Sequence, residues 1–393
     1  MFILSLLIVL VGGYIIGYLT SKIKLPKIVG MIIFGILIGP SVLNIISPSL
    51  IKISPILRKI ALVIIITRAG LNLNIGKMKR EEVLISFLPA TLEMLAVMLF
   101  SFLLLDVSLL EGLLLGTVLA AVSPAVLVPR MIKLKDEGYE KVPNLILFGS
   151  SVDDVFVIVI FYVVLNMLKT NTFDLISIIQ IPSSIILGIV LGVLIGYLAS
   201  KLFNKFKVNK YLKVLLILII TMGLVFSEDY LFKVINVTTL LSVLAMNIVI
   251  NKKSPKEVKE VHDIYKYLWF VFEILLFVLV GISIDLKFAY SNGFLPVLVL
   301  FIGLIFRSVG TILATLKSNY SLKEKLFTVL AYLPKATVQA SIGGIAVAEG
   351  LEVGNLVLTS AVISILITAP LGAILIDNTY KKLLIKDSVY IEK

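Results

Sequence analysis

Two carboxylates, Asp153 and Asp154, stand side by side in the apolar run LILFGSSVDDVFVIVIFYVVL, residues 145–165. On insertion scales an ionised carboxylate costs about 2.5 to 3.5 kcal/mol at the centre of a membrane helix. Intramembrane charge is therefore read as functional first. Neighbouring helical residues point about 100° apart, so the pair cannot fill one ligand position; one can face an ion while the other faces a partner. Ser150 and Ser151 lie four and three residues before Asp154, and either hydroxyl could share its face. Carboxylate, hydroxyl and freed backbone carbonyls are the hard oxygen donors that a partly dehydrated small cation needs. Burial also brings proton binding by a carboxylate towards physiological pH. One group can then hold either a proton or a cation, and that competition is the physical core of coupled exchange.

Counter-charges for the pair are present in other apolar stretches: Arg307 in LFIGLIFRSVGTIL and Lys335 in YLPKATVQ, with Glu93 as a third carboxylate and Arg68 near a helix end. A salt-bridge network that only holds helices together would use the same residues. Two stretches also carry helix-breaking signals. GTVLAAVSPAVLVPRM has Pro124 near its centre, and VLAYLPKATVQASIGGIAV has Pro334 and the pair Gly343 and Gly344. Proline removes a backbone donor and disfavours helix at the preceding residue, while glycine permits unwinding. Paired interruptions at equivalent places in two halves point to a binding site near the bilayer midplane.

The elements that must position these groups follow from composition. Of the 393 residues 59% are hydrophobic and 15% charged, with mean hydropathy +1.11, which places the chain among polytopic membrane proteins. The net charge of +12 lies between apolar spans, so it reads as topology and not as a nucleic-acid surface. With no cysteine and one histidine, His262, thiol catalysis and multi-His or Cys metal sites are excluded. The N-terminus lacks a positive leader region and a small-residue cleavage site, and is expected to be a retained first span.

The length rule for spanning helices gives thirteen candidates, near 2–20, 28–46, 54–73, 82–105, 109–132, 143–168, 176–202, 211–227, 230–250, 263–285, 294–316, 323–348 and 354–377. Counting Lys and Arg in alternate loops puts 26 of the 36 on one side and six on the other. The richer set includes Lys22, Lys24, Lys77, Arg80, Arg130, Lys207, Lys213, Lys253, Lys325, Lys382 and Lys393; the poorer is Lys52, Arg58, Lys59, Lys169, Lys233 and Lys287. The expectation is an all-α protein with its N-terminus outside and its C-terminus in the cytoplasm. If spans 1–6 and 8–13 are inverted repeats, both interruptions fall in the fifth helix of a repeat.

Taken in order, KLPKIVGMIIFGILIGP, RAGLNL, AAVSPAVLVP, GSSVDDVFVIVIF and YLPKATVQASIGG resemble the monovalent cation:proton antiporter superfamily. The likeness is to the paired-aspartate Na⁺/H⁺ exchangers, and most to the branch of the animal sodium/hydrogen exchanger-like domain-containing proteins. It implies a homodimer in the cell membrane working by an elevator movement. A dimerisation domain would span 1–80 and 208–290, an ion-translocating core 81–170 and 291–380, and a linker helix 171–207, with the two interrupted helices crossing at the site. Asp154 matches the aspartate that binds Na⁺ or Li⁺ or a proton, Asp153 its companion paired with a buried cation, and Ser123 the hydroxyl residue at the break. Lys335 and Glu93 match charged positions that look like salt-bridge partners for the acidic site and for the arginine. Arg307 falls where many members carry a lysine; arginine keeps its proton throughout, which favours one proton per cation and electroneutral exchange if Arg307 is the only basic partner, while Lys335 leaves a second proton open.

The reading implied is a secondary Na⁺(Li⁺)/H⁺ antiporter and not an enzyme, with no cofactor beyond the transported ions. A K⁺/H⁺ exchanger on the same scaffold is the nearest alternative. An intramembrane aspartyl protease is remote, because its shared-proton dyad needs carboxyl groups on facing segments, and no Gly-x-Gly-Asp motif occurs on a second helix.

Overall fold

A computed structural model describes residues 1–23, 25–72, 79–170, 175–205, 209–227, 237, 239–291 and 294–386. Lys24, Lys77, Lys207, Lys233 and Lys393, counted in the orientation reading, lie outside the described residues, as does the start of the stretch 230–250. The described secondary structure is helical: α1 (Phe2–Lys22, with a π turn at Ile8–Gly12), α2 (Lys27–Ile38), α3 (Pro48–Asn72), α4 (Arg80–Leu104), α5 (Leu109–Ala120), α6 (Pro124–Asp136), α7 (Lys141–Thr170), α8 (Leu175–Lys205), α9 (Lys210–Phe226), α10 (Thr239–Lys253), α11 (Pro255–Ile282), α12 (Leu286–Ser291), α13 (Leu295–Thr315), α14 (Leu322–Ala331), α15 (Thr337–Ile342), α16 (Ile345–Ala348) and α17 (Gly354–Leu383). Helix falls in each expected apolar stretch, and eight of the described segments are long and apolar enough to cross a membrane. The stretch 28–46 is helical only to Ile38, where Gly39 turns extended and the chain leaves the axis.

Their outward faces are apolar. α13, for example, exposes Phe301, Ile305, Phe306, Val309, Ile312 and Leu313 while burying Arg307. Water would penalise such a surface, whereas lipid tails solvate it, so this is a multi-pass membrane protein.

By contact density the chain forms two compact units, residues 1–53, 78–164 and 277–393 in the first and 54–77 and 165–276 in the second. In the second, α8 and α10 meet through Gly192 and Gly196, where an added Cβ would stand 2.3 Å from the Ser242 carbonyl oxygen and 2.5 Å from that of Met246. Lys213, buried at the start of α9, is held by Glu257 and, at 3.5 Å, by Glu260 of α11.

The first unit holds both interruptions. Helix α4 packs against α5 on one side and α13 on the other, and small residues set the spacing. Cβ atoms at Gly112 and Gly116 of α5 would lie 2.7 and 2.6 Å from the carbonyl oxygens of Met98 and Met94. On α13, Gly303 and Gly310 flank Arg307 and face Val97 and Pro89. These close approaches bring the end of α5 and the guanidinium to Glu93. Both half-helices that run into a break, α5 and α14, begin with the same device. Ser108 pairs with Glu111, and Ser321 with Glu324, in reciprocal capping boxes that satisfy first-turn N–H groups.

Candidate functional site

The fifth stretch opens at residues 121–123, between α5 and α6, with Pro124 as the first residue of the new helix, where a missing N–H costs nothing. The twelfth opens at residues 333–336, between α14 and α15, around Pro334. The Gly343 and Gly344 pair makes a further interruption between α15 and α16. The two open segments cross and hold each other. The Ser123 N–H donates to the Pro334 carbonyl at 2.8 Å, the Thr337 N–H lies 3.4 Å from the Ser123 hydroxyl, and the two hydroxyls are 3.5 Å apart. Gln339 donates its side-chain amide to the Ala121 carbonyl at 2.7 Å, and the Lys335 N–H donates to the Thr368 hydroxyl of α17 at 2.8 Å.

Four charges expected from the sequence meet beside this crossing, each with no solvent-accessible side-chain surface. Arg307 donates from Nη2 to Asp153 Oδ2 at 3.0 Å, from Nη1 to Glu93 Oε2 at 2.8 Å, and from Nε to the Tyr332 carbonyl at 2.6 Å. Its Nη1 also donates to the Ala120 carbonyl. A planar fork of five donors suits this task, whereas a single ammonium could not span it. Lys335 donates to the same Glu93 oxygen at 2.7 Å and reaches the Ala120 carbonyl at 3.4 Å. Asp153 Oδ2 accepts a further bond from the Val122 N–H at 3.0 Å. The partner of Asp153 among the two candidates is thus Arg307, and Lys335 belongs to Glu93.

Charge at the broken helix ends follows the same logic. The C-terminal ends of α5 and α14 carry unsatisfied carbonyls with partial negative charge. Arg307 touches one from each, Ala120 and Tyr332, so a single cation neutralises both ends. Carbonyls freed at a helix break are donors that a cation could use. Here those of Ala120, Ala121, Tyr332 and Pro334 are taken by Arg307 and Lys335, by Gln339, by Arg307 and by Ser123.

Asp154 stands apart. It follows Asp153 on α7, is half-buried, and its Oδ1 is shielded from solvent with no hydrogen-bond partner. Asp153 Oδ1 and Glu93 Oε1 are unpartnered as well. The hydroxyls of Ser150 and Ser151 turn back to the Leu147 carbonyl, at 3.3 and 2.8 Å, which leaves their oxygen lone pairs as acceptors. Arg68 is half-buried in the second unit. Among the described residues no group of three or more His, Cys, Asp or Glu side chains could hold a metal ion.

The charged residues were legible because each interrupts an apolar run. Gln339 and Thr368 carried the same signal more weakly, as polar residues in apolar helices. Tyr332 and the Ala120 carbonyl carried none, since an aromatic and a backbone oxygen look ordinary in any span.

A profile of the family described as sodium/hydrogen exchanger, transmembrane, matches residues 5–381. The chain is 35% identical over 394 residues to sodium/hydrogen exchanger 9B2 of Xenopus tropicalis, an alignment spanning 94% of this chain and 72% of that protein. It is 33% identical over 403 residues to the Homo sapiens protein of the same name, covering 96% and 73%. Among solved structures, the sodium proton antiporter MjNhaP1 from Methanocaldococcus jannaschii matches with a TM-score of 0.81, covering 97% of this chain and 98% of that one, at 21% identity, a likeness of fold.

Proposed function

The chain belongs to the sodium/hydrogen exchanger family, a family of membrane transporters and not of enzymes, and from that premise we propose that it is a secondary Na⁺(Li⁺)/H⁺ antiporter whose exchanging group is Asp154. One observation carries the reading. Glu93, Asp153, Arg307 and Lys335 form a quartet of two negative and two positive charges, and Asp154 takes part in none of its ion pairs. A balanced quartet has nothing to gain from an external ion. Asp154 alone then needs a positive ligand, and a proton or one monovalent cation satisfies it equally in charge.

Arg307 cannot give up its proton, so Asp153 keeps its partner through the cycle. Lys335 is tied to Glu93 and not to the aspartate pair, which removes the direct route by which cation binding would expel a second proton. One proton against one cation, hence electroneutral exchange, is the stoichiometry this arrangement supports. In this proposal Ser123, Ser150 and Ser151 supply neutral oxygens to the cation. The hydrogen bonds that tie 121–123 to 333–336 suit an elevator movement of the core, residues 81–170 and 291–380, against a dimerisation domain, 1–80 and 208–290, joined by the linker 171–207. This division is by movement and is a different cut from contact density. Thirteen spans, N-terminus outside, a homodimer and the cell membrane complete the proposal.

The test is proteoliposomes loaded with a pH-sensitive dye and challenged with Na⁺, Li⁺ or K⁺. Wild type is expected to move protons on Na⁺ and Li⁺, with a rate unchanged when the membrane potential is clamped at different values, and Asp154→Asn to lose the response. Sodium-driven proton movement in Asp154→Asn would remove Asp154 from the site; a response to K⁺ alone would make the protein a K⁺/H⁺ exchanger.

A further inference from the structure

Arg307 is held by more than its counter-charges. Tyr332 touches it twice, through the carbonyl that accepts Nε at 2.6 Å and through its ring, whose centroid lies 5.3 Å from the guanidinium carbon. The side chain of Tyr332 is fully buried, yet its hydroxyl has no hydrogen-bond partner. What fixes that hydroxyl is a notch in α7: a Cβ built on Gly149 would lie 2.0 Å from the tyrosine oxygen. Gly149 is four residues before Asp153 and so on the same helical face. The notch, the ring, the guanidinium and the Asp153 carboxylate thus form one closed chain of contacts that begins and ends on α7.

A buried hydroxyl without a partner costs roughly 1–3 kcal/mol. What the hydroxyl does have is a close fit against α7, where Gly149 leaves no side chain between them. We propose that the Gly149 notch and the Tyr332 hydroxyl form a lock that positions Arg307 on Asp153, and that the lock sets how strongly Asp154 holds its cation. Gly149 and Tyr332 are positioning residues, since neither offers a ligand to the ion. The groups that face Arg307 are Glu93 from α4, Asp153 from α7, the Ala120 carbonyl from α5, and Tyr332 and Lys335 from the crossing.

The consequence has a sign. A methyl at position 149 must displace the tyrosine hydroxyl from the notch, and the ring that lies over the guanidinium shifts Arg307 with it. Asp153 is then less compensated, and its charge adds to the pull of Asp154 on a bound cation. Binding tightens and release slows, so KM for Na⁺ and kcat fall together. A variant that merely folds less well would lose active transporters at unchanged KM.

The inference rests on the antiport reading, and the experiment separates the two. Sodium-driven proton movement is measured in proteoliposomes at alkaline pH, where proton competition is least, for wild type, Gly149→Ala, Tyr332→Phe, Gly149→Ala with Tyr332→Phe, and Gly149→Ala with Ile85→Ala. The last pair is the control, because Ile85 Cγ2 is the other close contact of the added methyl, at 2.7 Å. Gly149→Ala is expected to lower KM about three- to tenfold, the size of one ordinary net hydrogen-bond contribution, with a parallel fall in kcat. Removing the tyrosine oxygen opens the clash to 3.4 Å from the ring carbon, so the Phe double variant should return KM to within twofold of Tyr332→Phe alone, and the Ile85 double variant should not. Wild-type KM in Gly149→Ala, or no recovery with Tyr332→Phe, overturns the lock. A wild type that moves no protons on Na⁺ overturns the antiport reading instead.

Discussion

Glu93 carries the heaviest electrostatic load, because one of its oxygens receives both Arg307 and Lys335. Glu93→Gln would leave two buried cations facing a single carboxylate, Asp153, and breaking a buried ion pair by removing one partner costs about 3–5 kcal/mol. Asp153→Asn removes one contact from Arg307 and leaves its bonds to Glu93 and two carbonyls. Thermal unfolding in detergent is therefore expected to rank wild type above Asp153→Asn and Asp153→Asn above Glu93→Gln. A Glu93→Gln protein that melts with wild type would show that the quartet does not hold the fold. At this scale the charged residues were visible in the sequence as violations of an apolar pattern. Their pairing was not, since Arg307 and Lys335 are equally basic and both stand far from residue 153 along the chain.

At the scale of elements, the cluster exists because three helices approach closely enough to share it. Gly116 lets α5 lie against the Met94 carbonyl, one residue from Glu93. Gly116→Ala puts a methyl 2.6 Å from that backbone oxygen; α5 must move away, at about 1–3 kcal/mol for overpacking, carrying the Ala120 carbonyl off Arg307. A lower melting temperature and weaker sodium-driven proton movement are expected. Gly223 of α9 meets nothing within 4 Å, so Gly223→Ala should melt at or above wild type, by the roughly 0.5–1 kcal/mol that glycine costs inside a helix. Equal gains in both variants would mean that helix entropy and not helix approach governs position 116. Pro124, Pro334 and the Ser-x-x-Glu caps announced the half-helices locally. The extents of the breaks, 121–123 and 333–336, were set by what the crossing could satisfy, as the bonds from Ser123 to Pro334 and from Gln339 to Ala121 show.

For the whole molecule, the proposed orientation can be read directly, because the chain has no cysteine and any introduced thiol is the sole reporter. Lys52→Cys is expected to react with a membrane-impermeant maleimide on intact cells, and Lys382→Cys only after permeabilisation. The reverse pattern would invert the topology and with it the side from which Asp154 takes its proton. Among the basic residues that motivate the orientation, Lys22, Arg80 and Lys253 lie at helix ends, where a positive charge can remain in the interface, whereas Arg58 is buried within α3.

The sequence by itself determined that this is a multi-pass helical membrane protein, which residues bear charge inside the apolar spans, and where two helices must break. Those features are local, written in hydropathy over about twenty residues and in the backbone chemistry of proline and glycine. Only the tertiary structure decided that Arg307 belongs to Asp153 and Glu93, that Lys335 belongs to Glu93, and that the Ala120 and Tyr332 carbonyls serve the protein's own cations. The physical reason is that a buried charge is satisfied by whichever partner lies within about 3 Å. Helices from both halves of the chain supply those partners, through glycine contacts that no local pattern ranks.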